Sequence, residues 1–133
     1  MPAPHALVCG LLEDGGRVLF LVERTADGSE RLSLPGRVIT RGENPSLAVK
    51  QCFESQAGLD VQVLEVMIQG RHNAGSRKNK VWVPALGVRV SAKNRFASPR
   101  PPFTGVRWVD MKMALGKVRL SRTAEWLLRK NVH

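Results

Sequence analysis

The stretch LSLPGRVITRGENPSLAVKQCFESQAGLDV, residues 32–61, decides the fold. It starts as a short extended segment that a Pro-Gly pair ends, and a polar loop follows. Asn44 has the side chain of a helix N-cap, and Pro45 suits the first helical position. Apolar residues then recur at a helical period as far as Gly58, which is placed as a C-cap. The stretch therefore predicts an extended segment, a loop and a helix over residues 45–57.

A loop that leads into a helix is a frame in which proteins bind phosphate and metal. Free backbone N–H groups at the helix start can approach a phosphate closely. Helix positions i, i+3 and i+4 share one face, and carboxylates there would converge on a hard divalent cation. In this chain those positions hold Cys52, Ser55 and Gln56, none of which is charged. The stretch thus has the outline of such a site but few of its carboxylates.

The same stretch resembles the signature of the Nudix hydrolases. Residues 34–36, Leu-Pro-Gly, match the lead-in of that signature, and Glu43 falls on its first Glu. Gly58 and Leu59 close the motif at the right spacing, without gaps. Arg37 stands where the signature has its first Gly. The resemblance covers nearly the whole chain, because an opening strand, a strand near the C-terminus and a final helix also look like that family.

The departures from the signature fall on its chemical positions. Gln51 stands at the Arg, Cys52 at the Glu after it, and Ser55 and Gln56 at the Glu pair. The resemblance implies that Glu residues there would ligate Mg²⁺ or assist its water. Glu43 remains as the matching carboxylate, and it is therefore the candidate catalytic residue and a weak metal ligand if the chain is active.

One carboxylate leaves metal binding open. Magnesium sites often use one or two carboxylates plus substrate phosphates, so Glu43 with the oxygens of Ser55 and Gln56 could hold a weak ion. Glu54 is one residue away from the Glu-pair position, and a one-residue step turns a helical side chain by about 100°. We therefore expect Glu54 to point away from the metal face. No cofactor is assigned, and Mg²⁺ or Mn²⁺ is expected only if the chain is active.

The remaining pattern predicts one mixed α/β domain over residues 1–133. The resemblance implies an α/β/α sandwich with a mixed central sheet. Pro84 indicates an edge position or a bulge in its strand, because proline cannot donate to a sheet ladder. Trp82 and Trp108 alternate with apolar residues, which favours core packing over base stacking. The predicted strands are residues 5–12, 17–23, 61–71, 80–90 and 104–111, and a closing amphipathic helix spans residues 121–132.

The charge is strongly positive and uneven. The chain has 21 Lys and Arg against 11 Asp and Glu, for a net charge of +10, which attracts phosphates or nucleic acid. No acidic residue occurs between Val66 and Val109. We expect two loops in this span, residues 72–79 and 91–102, to border a substrate cleft; a solvated positive face is the alternative. The candidate phosphate ligands are Arg37, Arg77, Lys78, Lys80, Lys93 and Arg95.

The cysteine content and the hydropathy of the sequence indicate the cellular location. Cys9 and Cys52 are too few for a disulfide framework and fit no zinc motif, so buried free thiols are expected. The N-terminus does not read as a signal peptide, and no apolar run reaches membrane-spanning length. A cytoplasmic protein without a membrane partner is therefore the expectation.

Three functions remain open at this point. The first is a Nudix-like protein that binds a nucleoside-diphosphate-type ligand or RNA through a basic cleft, with little or no hydrolysis. The second is an active Nudix hydrolase that cleaves a nucleoside diphosphate linked to another moiety, with a divalent metal held by Glu43 and the substrate phosphates. The third is a scaffolding domain in a larger assembly. Whether the chain is an enzyme, which ligand it takes and whether it forms a homodimer are left open.

Overall fold

A computed structural model describes residues 3–94 and 96–110 of the chain. The predicted closing helix and Trp126 fall on residues 111–133, outside this part. The described elements are β1 (Pro4–Asp14), β2 (Arg17–Arg24), β3 (Glu30–Ser33), β4 (Gly36–Thr40), α1 (Pro45–Cys52), a π-helical turn (Phe53–Ala57), β5 (Val61–Asn73), β6 (Trp82–Ala92) and β7 (Phe103–Asp110).

Strand β1 connects the two halves of the sheet. Along one edge it pairs antiparallel with β4, and along the other it pairs parallel with β6. Strand β5 completes that half by antiparallel pairing with β6. At its C-terminal end β1 turns into β2 through Gly15 and Gly16, and β2 pairs antiparallel with β3 and β7. The sheet is therefore mixed, and the mixed α/β fold predicted from the sequence is confirmed.

The core lies on both faces of β1, because alternate residues of a strand point to opposite sides. On one side Val8 and Leu12 pack in a cluster with Val49 and Phe53 of the helical segment. On the other side a second cluster is built around β1 and β2. Its buried members are Leu7, Cys9, Leu11, Val18, Phe20, Val22, Leu32 and Leu34.

The helical segment has the ends that the sequence predicts. The Asn44 side chain accepts hydrogen bonds from the backbone N–H groups of Ser46 and Leu47, at 2.9 and 3.2 Å. Gly58 closes the segment in a left-handed conformation, with φ of 65°. The span of residues 45–57 is confirmed, but its last five residues form a π-helical turn. The i+5 bonding of a π turn changes the side-chain spacing, so the i, i+3, i+4 rule does not describe this end.

Pro84 lies in a central strand and not at an edge. It stands one residue before the parallel pairing of β6 with β1, which begins at Leu7 and Ala85. The partner strand β5 changes register between Ile68 and Gly70, beside Pro84. The proline is therefore accommodated next to an irregularity, as the bulge interpretation expects. Among the described residues, no helix is long and apolar enough to cross a membrane.

Candidate functional site

The loop before α1 joins the only signature carboxylate to the arginine that replaces a glycine. Arg37, in β4, donates to both carboxylate oxygens of Glu43: Nη2 is 2.8 Å from Oε1 and Nη1 is 3.2 Å from Oε2. The backbone N–H of Thr40 donates to Oε2 at 2.7 Å, and its hydroxyl does so at 3.2 Å. Four hydrogen bonds therefore converge on one carboxylate, two of them in a fork–fork geometry.

The electrostatics of this pair follow from its hydrogen bonds. The bond from Arg37, followed by that from the Thr40 backbone, lowers the pKa of Glu43 to about 2. The bond to Glu43 raises the pKa of Arg37 in turn. The two side chains are 38% and 33% exposed, so solvent and salt screen their attraction. Glu43 is fully ionised at neutral pH, and its charge is already balanced.

Arg37 also faces the positions where the signature has Arg and Glu. Its Nη2 lies 3.5 Å from the side-chain oxygen of Gln51, and its Nη1 lies 3.4 Å from the carbonyl of Val38. The Cys52 thiol is adjacent to the guanidinium and is buried. Burial raises the pKa of Cys52 and outweighs the lowering influence of Arg37. Cys52 therefore lacks the depressed pKa of an activated nucleophile.

Gln56 ties the end of the helical segment to the start of β4. Its amide oxygen accepts from the backbone N–H of Gly36 at 3.2 Å, and its amide nitrogen donates to the carbonyl of Gly36 at 3.1 Å. Gly36 itself has no room for a side chain, because a Cβ there would lie 2.2 Å from the carbonyl oxygen of Val8. Gln56 is thus a structural link to a closely packed strand. Glu54 and Ser55 are both exposed, so exposure does not distinguish the predicted direction of Glu54 from that of Ser55.

The donor set at these positions does not fit a magnesium centre. Mg²⁺ prefers an octahedral shell of oxygen ligands with carboxylates among them. Here the one carboxylate is paired with a guanidinium, and its neighbours are a buried thiol and a side-chain amide bonded to the backbone. In residues 3–94 and 96–110 no group of three or more His, Cys, Asp or Glu side chains could hold a metal ion.

The predicted phosphate ligands lie at two ends of the sheet. Arg77, Lys78 and Lys80 are exposed in the loop between β5 and β6. Lys93 follows the other end of β6, which at about 3.3 Å per residue is roughly 30 Å away. Arg95 is outside the described residues. The structure therefore does not bring the two basic loops to one cleft.

The loop between β5 and β6 lies at the same end of the sheet as the loop of residues 41–44, which joins β4 to α1 and is called the signature loop below. Thr40 pairs with Pro4, at the start of β1. Because β1 and β6 run parallel with Leu7 beside Ala85, Pro4 and Trp82 lie at a similar height. Arg77, Lys78 and Lys80 thus project near the end of the sheet where β4 leads into the loop of Glu43.

The loop after β6 has a different role. The backbone N–H of Ser98 donates to the carbonyl of Ala57 at 2.7 Å, and that of Arg100 donates to the carbonyl of Gln56 at 3.1 Å. These bonds satisfy carbonyl groups that the end of a helical segment leaves without partners. The second basic loop therefore acts as a cap on the π-helical turn.

Two features were missed in the sequence. The Arg37–Glu43 pair could have been expected, since Arg37 stands at a glycine position of the signature, six residues before the remaining carboxylate. Trp82, expected in the core, is 52% exposed, and the guanidinium carbon of Arg71 lies 4.9 Å from the centre of its ring system. Its place at the first residue of a strand, after a basic loop, was the available signal. Trp108 is half-buried against the core, as expected.

Comparison with solved structures places this architecture. The chain superposes on a Nudix hydrolase from Nitrosomonas europaea with a TM-score of 0.72 and 12% identity, covering 97% of this chain and 88% of that one. The Nudix hydrolase RenU from M. smegmatis gives a TM-score of 0.72 at 19% identity, with 96% and 83% covered. An ADP-ribose pyrophosphatase from Streptococcus suis gives 0.67 at 14%, with 97% and 91% covered. No protein-family profile and no curated protein matches the sequence. On these superpositions, the chain is a protein of the Nudix fold.

Proposed function

We propose that this chain binds a nucleoside-diphosphate-type ligand without metal and does not hydrolyse it at an ordinary Nudix rate. One observation carries this proposal: Arg37 occupies both oxygens of Glu43, the carboxylate that a metal would need. A cation from the protein takes the place of a metal ion beside that carboxylate. In this proposal, the loop between β4 and α1 keeps its backbone shape through side-chain hydrogen bonds instead of metal coordination.

The missing chemistry supports this proposal. Metal-assisted hydrolysis needs a positioned and activated water, and the helical face offers Cys52, Ser55 and Gln56 in place of carboxylates. Removal of one catalytic group commonly costs about 10²–10³ in rate. With several such groups absent together, turnover falls far below that of a complete site.

The phosphates of the ligand are assigned to cations of the β5–β6 loop. Arg77, Lys78 and Lys80 are exposed beside the signature loop, and among the described residues they form no salt bridge. Arg37 is a weaker candidate, because gripping a phosphate would require it to release Glu43. Both cysteines are free and buried, in keeping with the proposed cytoplasmic location.

Active hydrolysis is the second candidate. Two observations favour it: Glu43 is retained and ionised, and one structural neighbour is described as an ADP-ribose pyrophosphatase. In this alternative a metal would have to displace Arg37 from the carboxylate when substrate phosphates arrive. Activity would then disappear in Glu43→Gln, which keeps the size of the side chain but loses its charge.

The deciding experiment combines calorimetry and turnover. Purified protein is titrated with ADP-ribose in the presence of a chelator, and separately incubated with nucleoside diphosphate derivatives plus Mg²⁺ or Mn²⁺. We expect binding that survives chelation, weakens in Lys80→Ala and is accompanied by no product. If product forms only in the presence of metal and Glu43→Gln abolishes it, the chain is an active hydrolase and the binding proposal is wrong. Absence of both binding and product would overturn both candidates.

A further inference from the structure

Trp82 and the β5–β6 loop form an exposed surface, although the sequence predicted that Trp82 packs in the core. Trp82 begins β6 and lies an even number of residues before Val88, so the two point to the same face in a regular strand. Val88 is buried in the cluster beneath α1, whereas Trp82 is 52% exposed. The indole therefore stands at the outer end of the helix-bearing face, beyond the core.

Arg71 holds this indole from the neighbouring strand. The pairs Arg71–Pro84 and Asn73–Trp82 put Arg71 diagonally opposite Trp82 on one face. The guanidinium carbon is 4.9 Å from the centre of the ring system, within the range of a cation–π contact. The stacked pair presents an aromatic surface with a positive charge attached to it.

The adjacent loop is ordered by its own hydrogen bonds. The Asn73 side-chain oxygen accepts from the N–H groups of Gly75 and Val81, both at 3.0 Å. The N–H of Ala74 donates to the carbonyl of Val81 at 2.8 Å, and that of Ser76 donates to the carbonyl of Asn79 at 3.0 Å. A Cβ on Gly75 would lie 2.2 Å from the latter oxygen. These bonds order the backbone of the loop that carries the basic residues and leads into Trp82.

We infer that this surface, made of Trp82, Arg71, Arg77, Lys78 and Lys80, binds single-stranded nucleic acid. Bases stack on exposed aromatic rings irrespective of sequence, and cations beside the ring track the phosphates. A duplex hides the faces of its bases, so a single strand fits this arrangement better. The inference rests on the proposed function only in that the loop cations serve as phosphate ligands in both.

Charge alone would also attract an anionic membrane, but the tip of the loop has no apolar side chain to insert, and Val81, which is 42% exposed, lies at its base. Membrane-binding segments bury apolar side chains at the acyl boundary. The tip of this loop is Ser76, Arg77, Lys78 and Asn79, all polar and exposed. Trp82 is part of a strand and packs against Arg71, so it is placed to receive a base.

Fluorescence anisotropy with a labelled oligouridine of about 12 nucleotides tests the inference. Trp82→Ala is expected to weaken binding at least about fivefold, whereas Trp82→Phe keeps most of the affinity because it keeps a stacking ring. The double change Arg77→Ala and Lys78→Ala is expected to reduce the slope of log affinity against log salt by about 1.4. Lys93→Ala, at the far end of β6, serves as the single-charge control for Lys78→Ala. Circular dichroism verifies that each variant is folded.

Each outcome decides the inference. Loss of affinity in Trp82→Ala, with little change in Lys93→Ala, supports it, whatever the result of the hydrolysis assay. It is overturned if Trp82→Ala binds like the parent, if a duplex binds as tightly as the single strand, or if Lys93→Ala weakens binding as much as Lys78→Ala. Binding to anionic vesicles that Trp82→Ala abolishes, without any to the oligonucleotide, would assign the surface to a membrane instead. A matched DNA strand distinguishes RNA from DNA.

Discussion

The guanidinium of Arg37 and the carboxylate of Glu43 meet through two parallel hydrogen bonds, at 2.8 and 3.2 Å. The pair spans the signature loop, since Arg37 belongs to β4 and Glu43 directly precedes the N-cap of α1. Thr40, between them, adds its backbone N–H to the same carboxylate. The loop is thus held closed by its own side chains.

The pH dependence of stability should report this pair. The pKa of Glu43 in the folded chain, about 2, lies below the ordinary value of 4.5, so its stabilising contribution is fully present above about pH 4.5. That contribution is lost as the pH falls towards 2. Urea unfolding across this range should show a smaller pH dependence in Glu43→Gln than in the parent. An equal pH dependence of the unfolding free energy in the two proteins would mean that the Arg37–Glu43 pair contributes nothing to stability. High salt should reduce the difference between the parent and Glu43→Gln, because it screens the pair.

Gln56→Glu should destabilise the fold. The change replaces the amide that donates to the Gly36 carbonyl with a carboxylate oxygen that faces that carbonyl. The cost of one lost hydrogen bond and an uncompensated acceptor is about 1–3 kcal/mol in chemical denaturation. Ser55→Glu is the matched control on the same turn, because Ser55 is exposed, and it should change stability by less than about 0.5 kcal/mol. Similar costs for the two changes would contradict the structural role of Gln56.

Glycine substitutions should separate close packing from open space. Alanine at Gly36 would place Cβ 2.2 Å from a backbone oxygen of Val8, and alanine at Gly10 would place it 2.2 Å from the ring of Phe53. We expect losses of about 3 kcal/mol at Gly36 and somewhat less at Gly10, where a side chain can shift. Gly105→Ala is the control, since its nearest contact is 3.9 Å away, and it should cost less than about 1 kcal/mol. Denaturant titration of the three variants tests this order.

The two thiols should resist modification in the folded protein. Burial, reinforced by the neighbouring Cys52, raises the pKa of Cys9 to about 12, and burial also raises the pKa of Cys52. Both side chains are thus protonated thiols at neutral pH. A disulfide reagent should react slowly with the native chain and completely after unfolding in urea. Ser55→Cys, which adds an exposed thiol on the same segment, should react at once; equally fast reaction of the parent would refute the buried assignment.

Local features of the fold were predictable from the sequence because they depend on few neighbouring residues. Asn44, Pro45 and Gly58 mark the ends of the helical segment, and continuous apolar runs marked β1 and β2. The π-helical turn was not predictable, because its residues have no pattern distinct from an α-helix. It is stabilised by tertiary bonds, such as those from Gln56 to Gly36 and from the Ser98 N–H to Ala57.

The composition of the candidate site was predictable, and so was part of its arrangement. The replacement of carboxylates at Cys52, Ser55 and Gln56 could be read directly. The separation of Lys78 from Lys93 followed from the strand predicted over residues 80–90, which the structure confirms as β6, and the expectation of one shared cleft overlooked it. The exposure of Trp82 likewise follows from strand register, since β6 extends past its parallel pairing with β1 by three residues.

The parallel pairing of β1 with β6 also bears on how the chain reaches this fold. Residues 7–12 pair with residues 85–90, and the helical segment and β5 lie between these two stretches in the sequence. Closing so long a loop costs entropy before contacts repay it, and chains rich in such contacts fold slowly. On the ribosome, the central strand must therefore wait until β6 has emerged, with its apolar residues unpaired on that edge. Refolding rates should depend more on substitutions along β1 and β6 than on those in the β2–β3 hairpin, which pairs locally.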